Sequence, residues 1–178
     1  MAGDIEIIRM KVSDLRMLHI ICCEAYSQNF HHHWEEGGLE NYLHKVFGID
    51  ILEKELVDEK FQYYVAFKNK EPVAFMKLNL FSNIPGLDIN KGTELDKIYV
   101  LPMFKGMKIG KQLLELAFNI ARNTKKEMLW LAVIDTNLEA ISFYQKAGFK
   151  FHSKTVVGYP KFKKELEGMW RMYFEVNT

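Results

Sequence analysis

From Glu94 onward the chain changes rhythm, and that change constrains its fold more than any other feature. "ELDKIYV" (94–100) reads as a strand. "GKQLLELAFNIARN" (110–123) then places Leu113, Leu116 or Ala117, and Ile120 on one face, the stripe of an amphipathic helix. "MLWLAVI" (128–134) is a continuous apolar run of strand length. "NLEAISFYQKAG" (137–148) is a second helix, with Asn137 as its N-cap and Gly148 as its stop. Strands alternating with helices in this way call for an α/β sheet with helices packed against it.

The rest of the chain fits around that unit. "DIEIIRMK" (4–11) alternates as a first strand, and "SDLRMLHIICCEAYSQNF" (13–30) follows as a helix with Ser13 and Asp14 as caps. Leu15, Leu18, Cys22 and Tyr26 recur along it at helical spacing. Residues 31–59 read as an irregular stretch and then one or two short helices. "FQYYVAF" (61–67) and "PVAFMKLNLF" (72–81) flank a turn at Asn69–Pro72, a hairpin, with a loop over residues 82–93 after it. "FKFHSKTVVGY" (149–159) and "MWRMYFEV" (169–176) read as two closing strands. The expected order is strand, helices, three strands, helix, strand, helix, two strands: a mixed sheet with helices on both faces. No repeat, linker or low-complexity tract divides residues 1–178, so one domain is expected.

Composition removes several function classes. The net charge is +1, with 48% apolar and 26% charged residues, which gives no general reason to expect nucleic acid or membrane as partner. No apolar run approaches the ~20 residues that span a bilayer. The opening "MAGDIEIIRMK" carries acids and no continuous apolar region, so it is not read as a secretory leader. The two cysteines, Cys22 and Cys23, are adjacent within a helical pattern. They cannot form a disulfide framework, and a cytoplasmic location is expected.

The turn between "ELDKIYV" and the first of the two later helices is where chemistry enters. "KGMKIGK" (105–111) holds two glycines and three lysines at a helix start. Helix N-termini carry unpaired N–H groups and partial positive charge, so they attract anions. Gly106 and Gly110 allow close backbone approach, while Lys105, Lys108 and Lys111 add charge. The turn is not a Walker A loop, because Lys111 is followed by Gln112. Alone, it is equally a phosphate cradle or an ordinary basic connection.

Two linked motifs decide between these. The stretch Glu94–Phe149 resembles the core of the GNAT N-acetyltransferase superfamily. In that family a strand leads into a Q/R-x-x-G-x-G/A turn and helix that hold the pyrophosphate of acetyl-CoA. Lys105 stands at the Q/R place, Lys108 at the first glycine place and Gly110 at the second. The later signature N-x-x-A-x-x-F-Y-x-x-x-G-F is matched by Asn137, Ala140, Phe143, Tyr144, Gly148 and Phe149. Lys108 is the departure: its side chain either points away from the ligand or adds a cation to the phosphate contact. Together with "NYLHKVFGIDILEKEL" the match covers about three quarters of the chain and is similar to the PaiA-type spermidine/spermine N-acetyltransferases of bacteria.

The resemblance implies a GNAT fold: a mixed, mostly antiparallel central sheet, flanked by helices and splayed at the acetyl-CoA site. It implies acetyl-CoA as cosubstrate, no metal, and direct transfer to a primary amine, most readily on a polyamine. Another small amine, a protein N-terminus or a CoA-binding sensor without turnover are the alternatives. Glu94 falls at the family's base position, with Asp96 two residues on as base or cation attractor. Tyr144 is the implied acid toward the CoA sulfur, and its other reading is a core aromatic. Ile98, Tyr99 and Val100 would offer backbone to the pantetheine arm, and Lys105, Gly106, Met107, Lys108, Ile109, Gly110 and Lys111 would hold the pyrophosphate. Asn137 would touch the pantetheine region, and Lys146 would approach the distal phosphate. In "FHHHWEEGG", three consecutive histidines converge poorly on one metal ion. Trp34, Glu35 and Glu36 are instead candidates for the acceptor mouth, through a cation–π face and two carboxylates. Dimers are common among similar proteins, but no self-complementary patch is legible, so a homodimer stays open.

Overall fold

The computed structural model describes residues 5–87 and 91–176. Asp4 of the expected first strand, and residues 88–90 of the expected loop, lie outside the described residues. The strands are β1 (Ile5–Arg9), β2 (Phe61–Lys68), β3 (Glu71–Asn79), β4 (Gly92–Val100), β5 (Met128–Ile134), β6 (Lys150–Val156) and β7 (Gly168–Glu175). The helices are α1 (Leu15–Phe30), α2 (Gly38–Phe47), α3 (Ile49–Val57), α4 (Ile109–Asn123) and α5 (Leu138–Lys146). They form one seven-stranded sheet in the order β1-β2-β3-β4-β5-β7-β6. Every neighbouring pair is antiparallel except β4–β5, which is parallel. The α/β, mostly antiparallel architecture expected from the sequence is the one observed.

Local chemistry explains most boundaries. β2 and β3 turn through Asn69 and Lys70, both at positive φ, as a two-residue hairpin requires. Asn137 caps α5 by accepting the Ala140 N–H at 3.2 Å, and Gly148 ends the turn after it at φ +97. A side chain at Gly148 would also press on the Phe174 ring, 3.1 Å away. The cap expected at the start of α1 differs in its bonding. The Asp14 carboxylate accepts the Lys11 N–H at 2.9 Å and closes a short 3-10 turn over Val12–Asp14. Asp14 is the N-cap residue of α1, as expected, but its carboxylate is spent on the turn before the helix and makes no capping bond to the helix itself.

Among the described residues the two main cores lie on the two faces of the sheet, with a small cluster of Ile84, Met128 and Trp130 beside them. α4 and α5 bury Leu113, Ala117, Ile141 and Tyr144 against Leu129, Leu131 and Met172. α1, α2 and α3 bury Leu18, Cys22, Phe47 and Leu52 against Tyr63, Val65 and Phe75. The parallel β4–β5 pairing runs only from Gly92–Met128 to Glu94–Trp130 and then stops. β5 continues on β7, and β4 continues on β3. The sheet therefore opens between β4 and β5 just past Glu94.

Candidate active site

The opening in the sheet is a cavity of about 560 Å³. Ile98, Tyr99 and Val100 form one wall, and Ala132, Val133 and Ile134 form the other. β4 has lost its β5 partner here, so its edge faces the gap with backbone groups unspent on that side. The Val100 carbonyl is the exception, since it accepts the Asn29 amide of α1 at 3.0 Å.

One end of the cavity is the turn into α4. Lys105, Gly106, Lys108, Ile109, Gly110 and Lys111 all line it. The backbone N–H groups from Gly106 to Lys111 meet no acceptor among the described residues, and the first regular helix bond runs from Gln112 to the Lys108 carbonyl. Added carbon at Gly106 would meet nothing, and at Gly110 only ordinary contacts at 3.9 Å. Gly106 is called for by its backbone, at φ +81, whereas neither backbone nor packing requires glycine at Gly110, where a ligand seated on the N–H groups would. This donor set fits a pyrophosphate. Lys108 occupies the left-handed region, φ +61, as the N-cap of α4. Glycine is the residue that adopts that conformation without strain, which is the physical content of its usual presence there. Met107 is exposed and does not line the cavity, and its sulfur takes a contact from the Lys68 ammonium at 3.1 Å.

Tyr144 of α5, largely buried in the core, also lines the cavity, as do Asn137 and Phe143. Burial pushes its hydroxyl pKa well up, so the proton stays on the oxygen across the physiological range. It is available as a donor. Lys146, on the same helix, is exposed and outside the cavity.

The two carboxylates of β4 have different surroundings. Between the pairs Lys77–Lys97 and Leu78–Leu95, β4 has one residue more than β3, and that extra residue is Asp96. Asp96 lies 2.7 Å from the Lys97 ammonium and 3.1 Å from that of Lys77. Burial would raise its pKa, but the two lysines outweigh it and bring it to about 2. Among the described residues no cation pairs with Glu94. It accepts the Ser82 hydroxyl at 2.8 Å, and Ser82 is placed in turn by the Trp130 indole, which donates to its carbonyl at 2.9 Å. Burial first, and the charge on Asp96 second, raise the Glu94 pKa. A carboxylate tuned upward suits proton abstraction; one held near 2 does not.

The other end of the cavity was not anticipated. Tyr26 and Phe30 of α1, Tyr42 of α2, Tyr99, Tyr159 and Phe162 make an aromatic wall there. Tyr26 stacks on Tyr42 at 4.4 Å between ring centres, and Phe30 meets Tyr99 edge-on at 5.1 Å. The local signal was Tyr26, Asn29 and Phe30 at spacings of three and four on one helix. Lys77 and Lys97 were also missed, and the signal for Lys77 was a lone cation within an apolar run of its strand.

The segment expected at the acceptor mouth does not line this cavity. Trp34 is buried behind the wall, packed edge-on against Phe162 at 4.9 Å and tilted on Tyr42 at 5.0 Å. Its face meets core rings, so it is not presented to a ligand. Glu35 and Glu36 are exposed outside the cavity, where backbone groups of this turn bond Lys161. The three histidines form a 3-10 turn, and no group of residues able to hold a metal ion occurs among the described residues. No helix among them is long and apolar enough to cross a membrane.

Comparison with known proteins bears on this geometry. Residues 20–149 match the profile of the Acetyltransferase (GNAT) family. An N-acetyltransferase of Lactobacillus delbrueckii subsp. lactis is 27% identical over 153 residues, covering 85% of this chain and 88% of the relative. A spermidine N(1)-acetyltransferase of Thermoplasma acidophilum is 26% identical over 150 residues, covering 82% and 88%. The PaiA N-acetyltransferase of Thermoplasma acidophilum, solved in complex with coenzyme A, superposes with a TM-score of 0.78 at 23% identity, over 97% of this chain and 99% of that one.

Proposed function

Because the chain belongs to the acetyltransferase (GNAT) family, and so transfers acetyl from acetyl-CoA, we propose that its acceptor is a primary amine of a polyamine, spermidine or spermine. The observation that carries this reading is the aromatic wall of the cavity, met by Glu94 at the opening of the sheet. Aromatic faces attract alkylammonium groups while accommodating the methylenes between them. The nearby Lys97 does not present a free charge to the acceptor, since it is paired with Asp96. Two relatives named for spermidine or spermine acetylation, from Thermoplasma acidophilum and Bacillus subtilis, support the same acceptor class.

In this reading the whole chain is one transferase domain. Lys105, Lys111 and the N–H groups at Gly106–Lys111 hold the pyrophosphate. The β4 edge at Ile98–Val100 and Asn137 hold the pantetheine arm. Acetyl-CoA supplies the acetyl thioester. An alkylammonium is almost fully protonated at neutral pH, so its nitrogen must first be freed. Glu94 takes that proton, directly or through water. The freed nitrogen forms its bond to the acetyl carbonyl carbon, and the carbon–sulfur bond breaks with its electron pair on sulfur. Tyr144 gives a proton to that sulfur and regains one from the nitrogen, which sheds its second proton as the amide forms. Holding both reactants in register in one cavity supplies much of the acceleration.

The test is acetyl-CoA-dependent thiol release with spermidine, spermine and a panel of monoamines, amino acids and N-terminal peptides, in parent and E94Q. Release favouring polyamines and lost in E94Q is expected. Release only with another amine would replace the acceptor. CoA binding without turnover on any amine would make the chain a sensor.

A further inference from the structure

Behind the wall that carries Glu94, two lysines face each other across strands. Lys77 and Lys97 are register partners on β3 and β4, and both reach Asp96. Lys77 also pairs with Glu55 of α3 at 2.8 Å, and the Tyr63 hydroxyl donates to the second oxygen of Glu55. The Lys77 ammonium lies 4.8 Å from the Phe61 ring centre and 5.6 Å from that of Tyr63. The side chains of Lys77 and Glu55 are only 7% and 18% exposed, and neither lines the cavity. Asp96, Lys97 and Glu94 do.

For packing alone this arrangement is a poor choice. Like charges directly across a strand pair repel, and apolar residues commonly equal or exceed a buried ion pair in stability. What the pair accomplishes is geometric. It anchors the extra residue of the β4 bulge from α3, through β3, at the point where β4 leaves β5.

We propose that Glu55 and Lys77 are positioning residues, a clamp that fixes the Asp96 bulge and thereby aims Glu94 at the reacting groups. The clamp rests on the reading of Glu94 as the base. Glu94 is faced by Asp96 and Lys97 on its own strand, by Lys77 on β3 and by Ser82 in the loop after β3. Behind these stand Glu55 of α3, against Lys77, and Tyr42 of α2, whose charge would be felt at Lys97. Removing the Lys77 cation leaves Asp96 with one lysine and takes one favourable charge from Glu94.

The experiment compares K77Q, which keeps a polar group, E55M/K77M, which replaces the pair by apolar bulk, and the conservative K77R. Each is checked for folding by circular dichroism and for CoA affinity by calorimetry, and kcat/KM for the acceptor is measured against pH. In folded K77Q and E55M/K77M, CoA affinity should hold while kcat falls at least about tenfold. The acid limb of K77Q should move up by roughly half a pH unit or more, and that of E55M/K77M by less, since it loses an anion along with the cation. K77R should restore both. Folded variants with parental kcat and an unmoved acid limb would overturn the clamp and leave the pair as packing. E94Q separates the two readings: an active E94Q sinks the base assignment, whereas an inactive E94Q beside an unaffected K77Q sinks the clamp alone.

Discussion

Replacing Lys108 by glycine tests how the turn holds its ligand, because strain and charge pull in different directions there. Lys108 sits at φ +61, ψ 14 at the head of α4, exposed, where the family pattern has glycine. A side chain held in the left-handed region costs about 1–2 kcal/mol. Glycine removes that cost but adds back roughly 0.4–1 kcal/mol through a freer unfolded chain. The net gain is about 0–1.6 kcal/mol, which for a domain of this size raises Tm by up to roughly 6 °C. Alanine keeps the strain and loses the charge, so K108A should melt close to the parent. For CoA the cation is the only difference that matters, and one exposed lysine is worth up to about 1 kcal/mol, or roughly fivefold. K108G and K108A should therefore weaken CoA binding by about fivefold at most, and by less as salt rises. Thermal melts and calorimetric titration with CoA read both quantities. A lower Tm in K108G would refute the strain argument. A loss of more than about fiftyfold in both variants would refute the backbone cradle and make the Lys108 ammonium the main anchor.

Three further outcomes follow from the site. Y144F should lower kcat about 100-fold with little change in either KM, because its buried hydroxyl stays protonated and serves only as donor; a change under about twofold would return Tyr144 to packing. Asp96 has a pKa lowered from 3.8 to about 2, so its contribution is present above the ordinary value and disappears as pH falls through that window; urea unfolding should show about 2–3 kcal/mol lost there, and a flat profile would contradict the two-lysine pairing. E35Q/E36Q should leave the KM for spermidine within about twofold, since these carboxylates lie outside the cavity, and a large rise would place the acceptor mouth at this turn.

The elements were legible because their signals are local. β5 spans Met128–Ile134, the run read from its apolar residues, and α4 begins at Ile109 where the glycine turn ends. Asn137 and Gly148 announce both ends of α5 within the segment itself. Trp34 was not legible, because what covers its ring is Phe162, brought to it by an isolated bridge from far along the chain. Strict alternation along "ELDKIYV" treats Glu94 and Asp96 as equivalent neighbours on one face. The bulge at Asp96 is a relation between β3 and β4, and no pattern within either strand encodes it. That single extra residue places Asp96 between two ammonium groups and leaves Glu94 with a serine hydroxyl. Two carboxylates two residues apart thus have their proton affinities driven in opposite directions, and the division of labour proposed for them comes from strand register rather than residue type.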